Sequence, residues 1–470
     1  MWKLVFSYLH RSMVVNTSFI NDKEIWNTIE TSKHTDKGKI RDILQKAEAA
    51  KGLNLEEASA LLHIDSPDLL EELFHLAKQV KEKIYGNRIV IFVPLYMTNE
   101  CSNICEYCAF RADNKDMQRK TLSTDDIKKE VEIVQRQGHK RVLAVFGETT
   151  KYNVHKMVEG VETIYSVGEI RRVNVNSAPL SIDDFKVLKT SQIGTYQCFQ
   201  ETYHRETYEK VHVAGTKKDY LWRLNALHRA QEAGIDDVAV GVLYGLFDPH
   251  FETLAMLRHA EDLEKKYGVG PHTISFPRIE PALGSAMSTA PPFYVNDDLF
   301  KKIVAVIRLA VPYTGMILST REPVELRREL INLGVSQISA GSKTSPGSYH
   351  ESPINIPNSQ QFHVGDERPL DKVIYDLVQM GLVPSFCTSC YRLGRHGENF
   401  MDMAKNQHIK SFCQPNAILT FAEYIEDYAS EDTRSAGYAM INKLVEKLDD
   451  PQVIENELQQ IKQGKRDIYY

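Results

Sequence analysis

No apolar run in this 470-residue sequence is long enough to cross a bilayer, so no transmembrane helix is expected. Nor is there a basic excess. Lys and Arg number 57 against 63 Asp and Glu, a net charge of −6, which gives no footing for nucleic acid or an anionic membrane surface. The first residues hold only the short apolar patch Leu4-Val5-Phe6, too short for a secretory h-region and without a small-residue cleavage site; Met13 serves as well as Met1 for a start. Cysteine is scarce. Of the 7 present, all but Cys198 fall in two tight groups, which argues against a disulfide framework and for metal ligation in a reducing cytoplasm. Hydrophobic content of 42% and charged content of 26% are those of an ordinary globular chain, long enough for one large domain and an appendage.

The first cysteine group organises the rest. Cys101, Cys105 and Cys108 have the spacing C-x3-C-x2-C and follow the apolar run from Ile89 to Met97, which reads as a strand. The thiols therefore sit on a loop just past that strand's C-terminal end. Three soft thiolates suit an iron–sulfur cluster and leave one iron of a four-iron cluster open to a small chelating ligand. Structural zinc wants a fourth ligand, and none is evident nearby. With Tyr107 before the third cysteine, the spacing and position resemble the radical S-adenosylmethionine (SAM) superfamily. The resemblance implies a 4Fe-4S cluster whose open iron holds the amino and carboxylate groups of SAM, with Tyr107 among the cofactor-binding residues.

Residues 23–84 read as helices, with Ile40, Ile43, Leu44 and Ala47 at helical spacing and helix starts at Asn54-Leu-Glu-Glu and Ser66-Pro67-Asp68. From Arg88 short strands alternate with amphipathic helices. The strands expected are 89–97, 141–146, 171–175, 193–199, 237–243, 272–277, 315–319 and 334–339. Eight strand–helix units predict an α/β fold: an eight-stranded (β/α) barrel of the radical SAM type, with an N-terminal helical extension and a C-terminal, mostly helical cluster-binding module. The expected divisions are a flexible N-terminus at 1–22, a helical extension at 23–86, the barrel at 87–380 and an auxiliary-cluster module at 381–470. A loop rich in Ser, Pro, Gly and Asn covers 342–369, and its length points to function or a domain link.

Chemistry in such barrels sits at the C-terminal strand ends. Strand two ends in Gly147-Glu148, similar to the glycine–glutamate stretch with which radical SAM enzymes meet the SAM ammonium, and carboxylate acceptors suit that donor. Asn176 ends strand three. Past strand four, Glu201 is expected on the ribose hydroxyls and Arg205 on the SAM carboxylate. Strand five carries Gly241 and Gly245, resembling a glycine-spaced adenine wall. Arg321, past strand seven, is placed to clamp a substrate carboxylate, the bland alternative being a salt bridge to Glu322 or a neighbour. Cys198 reads as a buried small hydrophobe. His272 precedes strand six and so belongs to the opposite, N-terminal end of the barrel, where position alone favours a structural histidine.

The second group is Cys387, Cys390 and, after 22 residues, Cys413. Spacing alone leaves iron–sulfur and zinc open, the latter with His396 or His408 as a fourth ligand. Together with the runs Gln200–Tyr203 and Leu318–Glu322, this tail resembles the radical SAM tyrosine lyases that mature FeFe-hydrogenase. The thiamine-pathway 2-iminoacetate synthase is similar through the barrel but lacks the second triad, and biotin synthase is similar only at the first triad and barrel. The resemblance implies L-tyrosine and SAM as substrates and cleavage to p-cresol and dehydroglycine. It implies carbon monoxide and cyanide formed at an auxiliary iron–sulfur cluster on Cys387, Cys390 and Cys413, with an additional iron held by His272 and bridged by a free cysteine. Reduced ferredoxin or flavodoxin is the implied electron donor and a hydrogenase maturation scaffold protein the implied acceptor. The alternative is a lyase that stops at 2-iminoacetate, with a zinc-stapled tail.

Overall fold

The computed structural model describes residues 18–351, 358–448 and 450–470. Most of the flexible N-terminus expected at 1–22 therefore lies outside the described residues. Among those described, no helix is long and apolar enough to cross a membrane.

Four helices open the described residues, Asp22–Ser32, Lys37–Ala47, Leu55–Leu62 and Pro67–Tyr85. The third starts where Asn54 and Glu57 cap each other reciprocally, at 2.8 and 2.9 Å. The first, third and fourth pack on the barrel helices Pro249–Tyr267 and Asp297–Ala310, and the second packs on the third and fourth. The strands are β1 (Arg88–Thr98), β2 (Ile104–Cys105), β3 (Arg141–Phe146), β4 (Arg172–Asn176), β5 (Tyr196–Gln197), β6 (His212–Ala214), β7 (Val238–Gly241), β8 (Thr273–Ser275), β9 (Gly315–Leu318), β10 (Gln337–Ser339) and β11 (Val383–Ser385). Eight of them pair in parallel in the order β1-β3-β4-β5-β7-β8-β9-β10, and β10 returns to β1 and closes the barrel.

β1 shows why the barrel holds chemistry at both ends. Ile89, Ile91, Val93, Leu95 and Met97 face the surrounding helices and are fully buried, while Val90, Phe92, Pro94 and Tyr96 alternate inward. The strand is longer than its neighbours. Its C-terminal half pairs with β3, and its N-terminal half carries an added strand, β11, through Arg88↔Val383 and Val90↔Ser385. That ninth strand is not among the strands expected, and it lies in the tail expected to be mostly helical. It hangs the C-terminal region on the lower rim of the barrel and delivers Cys387 two residues later. Helix Ile409–Asp427, which carries Cys413, packs on β11 and on helix Pro67–Tyr85.

Candidate active site

The first cysteine loop leaves β1 at Thr98. Antiparallel pairing of β2 with β6 sets Cys105 opposite His212. The Arg119 guanidinium donates to the carbonyls of Asn99, Phe110 and Arg111 at 2.7, 2.8 and 2.6 Å, gripping the loop from outside the motif. Asn103 donates to Glu148 Oε2 at 2.8 Å and accepts the Lys217 backbone N–H at 2.9 Å. Burial pushes all three thiols up, Cys108 to about 11, and Cys101 and Cys108 raise Cys105 further. A buried, mutually repelling triad yields thiolates only to a cation that replaces the lost hydration, and this soft donor set fits iron.

Around it the strand ends form a cavity lined by Tyr96, Asn176, Glu201, Leu243, Arg321 and Phe362, with Tyr107 and Cys108 at its edge. Glu148 lies beside the cysteine loop. Burial would push its carboxyl up, but Arg223, at 2.6 Å, and then Lys217 hold it below the usual range. Gly147 is required there, since a Cβ would stand 2.3 Å from the Glu100 carbonyl oxygen. Glu201 has φ +70, a left-handed conformation that costs a non-glycine residue about 1 kcal/mol or more, and its carboxylate takes Lys217 Nζ at 2.8 Å. The Tyr107 hydroxyl meets His212 Nε2 at 2.7 Å.

One expectation is corrected. Arg205 is not in this site. As the first residue of helix Arg205–Val211 it is more than half exposed, pairs with Glu209 at 3.4 Å and lies over the Tyr220 ring. The cations beside the acidic groups are instead Lys217 and Arg223. At Gly241 the missing side chain makes room for the Phe199 ring, 2.6 Å from where a Cβ would stand.

Arg321 has no salt bridge to Glu322, which is taken by Arg278. Its guanidinium stacks 3.3 Å over the Phe362 ring and forms no ion pair among the described residues. Burial pushes its pKa down, with Tyr96, Glu280 and Glu201 opposing.

At the other end of the barrel a second cavity is lined by Arg88, Arg141, His272, Cys387, Cys390 and Cys413. His272 Nδ1 is buried without a hydrogen bond, 3.4 Å from Asp237 Oδ1, and burial lowers its pKa, which keeps the ring neutral. Cys390, with Arg88 nearby, holds the Cys413 thiol below its usual range against the effect of burial. Arg88 and Arg141 are buried and each has an unpartnered Nε, so fixed positive charge adjoins the thiols. His396 pairs with Asp236 at 2.9 Å, and neither it nor His408 lines this cavity. The residue that sequence spacing offered zinc is thus turned away, and His272 stands in its place.

Residues 95–260 match the Radical SAM superfamily and residues 275–383 the Biotin and Thiamin Synthesis associated domain. The crystal structure of HydG, a maturase of the FeFe-hydrogenase, superposes with a TM-score of 0.93 at 48% identity, over 97% of this chain and 100% of that one. The chain belongs to the HydG family of radical SAM enzymes. HydG from Carboxydothermus hydrogenoformans aligns with a TM-score of 0.83 at 41% identity, over 94% of this chain and 97% of that one. The 2-iminoacetate synthase of Salmonella typhimurium is 32% identical over 349 residues, 74% of this chain and 90% of the relative. Membership of the HydG family brings SAM and a 4Fe-4S cluster with it, and the first triad suits them.

Sequence reasoning missed Arg119, Lys217 and Arg223, none of which carries a local signal. Arg88 and Arg141 did carry one, because each puts a charge at the head of an apolar strand.

Proposed function

We propose that the protein is a carbon–carbon lyase with two working ends. At the upper cavity it cleaves L-tyrosine between Cα and Cβ into p-cresol and dehydroglycine. At the lower cavity dehydroglycine becomes carbon monoxide and cyanide, for assembly of the FeFe-hydrogenase active site. The observation that carries this reading is the pair of cysteine triads, at opposite ends of one barrel and each beside its own cavity. Inward side chains of the same strands step from the lower cavity to the upper one in two residues: Val90 to Phe92, Arg141 to Leu143, Gly315 to Ile317 and Gln337 to Ser339.

When bound at Cys101, Cys105 and Cys108, the 4Fe-4S cluster supplies the electron that splits SAM into methionine and a 5′-deoxyadenosyl radical. Glu148, kept ionised by Arg223 and Lys217, offers acceptors to the SAM ammonium. Glu201 and Asn176 face the cavity as ribose and adenine-side contacts. Arg321 presents an unpaired, planar fork for the tyrosine carboxylate, which leaves the amino group toward the adenosyl carbon. A hydrogen atom leaves that nitrogen, the Cα–Cβ bond breaks, and the 4-hydroxybenzyl fragment takes up one electron and one proton to give p-cresol. Ser342, Thr344, Gln361 and Phe362, from the long loop, cover the cavity and keep water from the radical.

At the lower end Cys387, Cys390 and Cys413 would hold the auxiliary cluster, and neutral His272 offers an imidazole nitrogen to an additional iron bridged by a free cysteine. That iron leaves with its diatomic ligands as cargo, to a maturation scaffold protein. Reduced ferredoxin or flavodoxin supplies electrons, and the cytoplasm is the compartment that suits such chemistry. The alternative, a lyase releasing 2-iminoacetate with a zinc-stapled tail, finds support in the 32% identical relative. The two-site reading is favoured because the HydG likeness extends over 97% of the chain.

The test is anaerobic turnover of reconstituted enzyme with reduced donor, SAM and tyrosine labelled with 13C at the carboxylate and Cα. Chromatography should show p-cresol, and infrared spectroscopy should show iron-bound carbon monoxide and cyanide bands shifted by the label. Labelled 2-iminoacetate without those bands would favour the alternative.

A further inference from the structure

Helix Thr124–Arg136 meets the start of the long loop at a group of side chains that the proposed chemistry leaves unused. Asp126 and Glu130 stand one helical turn apart on the same face. Against them lies His350. Its Nδ1 is 2.6 Å from Glu130 Oε1, and its Nε2 faces Glu351 Oε1 at 3.3 Å and Asp126 Oδ1 at 3.9 Å. Glu130 is fully buried. Its Oε1 also accepts the backbone N–H groups of Tyr349 and His350, at 3.0 and 2.7 Å, while Oε2 is buried with no hydrogen-bond partner.

The chemistry of this arrangement is one-sided. Glu130 accepts the Nδ1 proton, which fixes the imidazole tautomer and leaves the lone pair on Nε2. That lone pair points at two carboxylate oxygens. His350, Asp126 and Glu351 each bring a ligand atom within 4.8 Å of the others, so three acceptors converge. Among the described residues Lys120 pairs with Glu351, on the oxygen that also faces His350. One imidazole nitrogen and two carboxylate oxygens, with the histidine oriented by an outer carboxylate, form a borderline donor set suited to zinc.

We propose that Asp126, His350 and Glu351 bind one divalent cation of the zinc class, with Glu130 orienting His350 and water completing the coordination. The cation would tie the first barrel helix to the chain segment that supplies Ser342 and Thr344 to the upper cavity. It would act as a clasp on the cover of that cavity. The proposal does not depend on which reaction the cavity performs.

The test uses anaerobic holoenzyme with its iron–sulfur clusters reconstituted, freed of loose metal and titrated with Zn2+ against a chromophoric chelator. Wild type should take up one equivalent more than His350→Gln or Asp126→Asn. Glu130→Gln should weaken that equivalent about 10- to 100-fold. Lys120→Met should tighten it, since the ammonium competes with the metal for Glu351. Iron and sulfide contents equal to wild type establish that each variant is folded. Equal zinc uptake by wild type and His350→Gln, or no tightening in Lys120→Met, would overturn the site. His350 would then be held by a proton and ion pairs alone.

Discussion

Replacing Arg321 by methionine should weaken tyrosine binding while sparing SAM. The guanidinium is buried, lies over Phe362 at 3.3 Å and has no carboxylate partner among the described residues, so it carries a desolvated charge that a ligand must satisfy. A hydrogen bond to a charged group contributes about 1.5–3 kcal/mol net, and each 1.4 kcal/mol is about tenfold in affinity. The substitution should therefore raise the tyrosine concentration for half-maximal turnover by about 10- to 150-fold. Arg321→Lys keeps the charge but loses the fork and the planar stack, and should fall between the two. The assay follows 5′-deoxyadenosine and p-cresol against tyrosine at saturating SAM, with SAM titrated in parallel and expected to shift less than about threefold. An unchanged half-saturation for tyrosine, or an equal loss for SAM, would refute the clamp.

Cys105→Ser should abolish 5′-deoxyadenosine formation with little change in far-UV circular dichroism, and wild-type amounts from the variant would remove the first triad from the cluster site. Arg223→Met should cost about 3–5 kcal/mol by leaving Glu148 buried beside an empty position. Because Arg223 and Lys217 depress the folded-state pKa of Glu148, its stabilising contribution is present above the usual glutamate range and lost as pH falls. The gap in melting temperature between wild type and variant should thus be widest near neutral pH and narrow below about pH 4; a gap independent of pH would contradict the pairing. His272→Ala should leave p-cresol formation unaltered and reduce the iron-bound diatomics seen by infrared spectroscopy, and equal loss of both would remove His272 from the lower site.

The barrel was legible because β1 and β3 are long or regular apolar runs. The expected 89–97 is Arg88–Thr98 in the structure, and 141–146 is β3 itself. Where strands are short, pattern overstated them: 193–199 contracts to Tyr196–Gln197, since the barrel needs only two residues there to bridge β4 and β7. β11 left no signal, being three residues with Pro384 at the centre, and it exists because the N-terminal half of β1 offers an edge. The positions of the two cysteine groups and His272 at the ends of the barrel were readable because strand polarity is a local property. Arg205 was misplaced because nearness to a strand end in sequence does not give the direction of a side chain at a helix start. Lys217 and Arg223, which meet the acidic groups instead, come from the segment beyond helix Arg205–Val211, and only the tertiary fold brings them there.

The central claim is that one barrel runs two separable reactions at its two ends, and the Cys387→Ser/Cys390→Ser double variant tests it most directly. Both thiols line the lower cavity, and the first triad stands at the upper rim. With SAM, tyrosine and reductant, p-cresol measured by chromatography should stay near the wild-type rate while the infrared bands of iron-bound carbon monoxide and cyanide disappear. Loss of p-cresol as complete as the loss of the diatomics would contradict the account and make the tail a staple for the whole barrel.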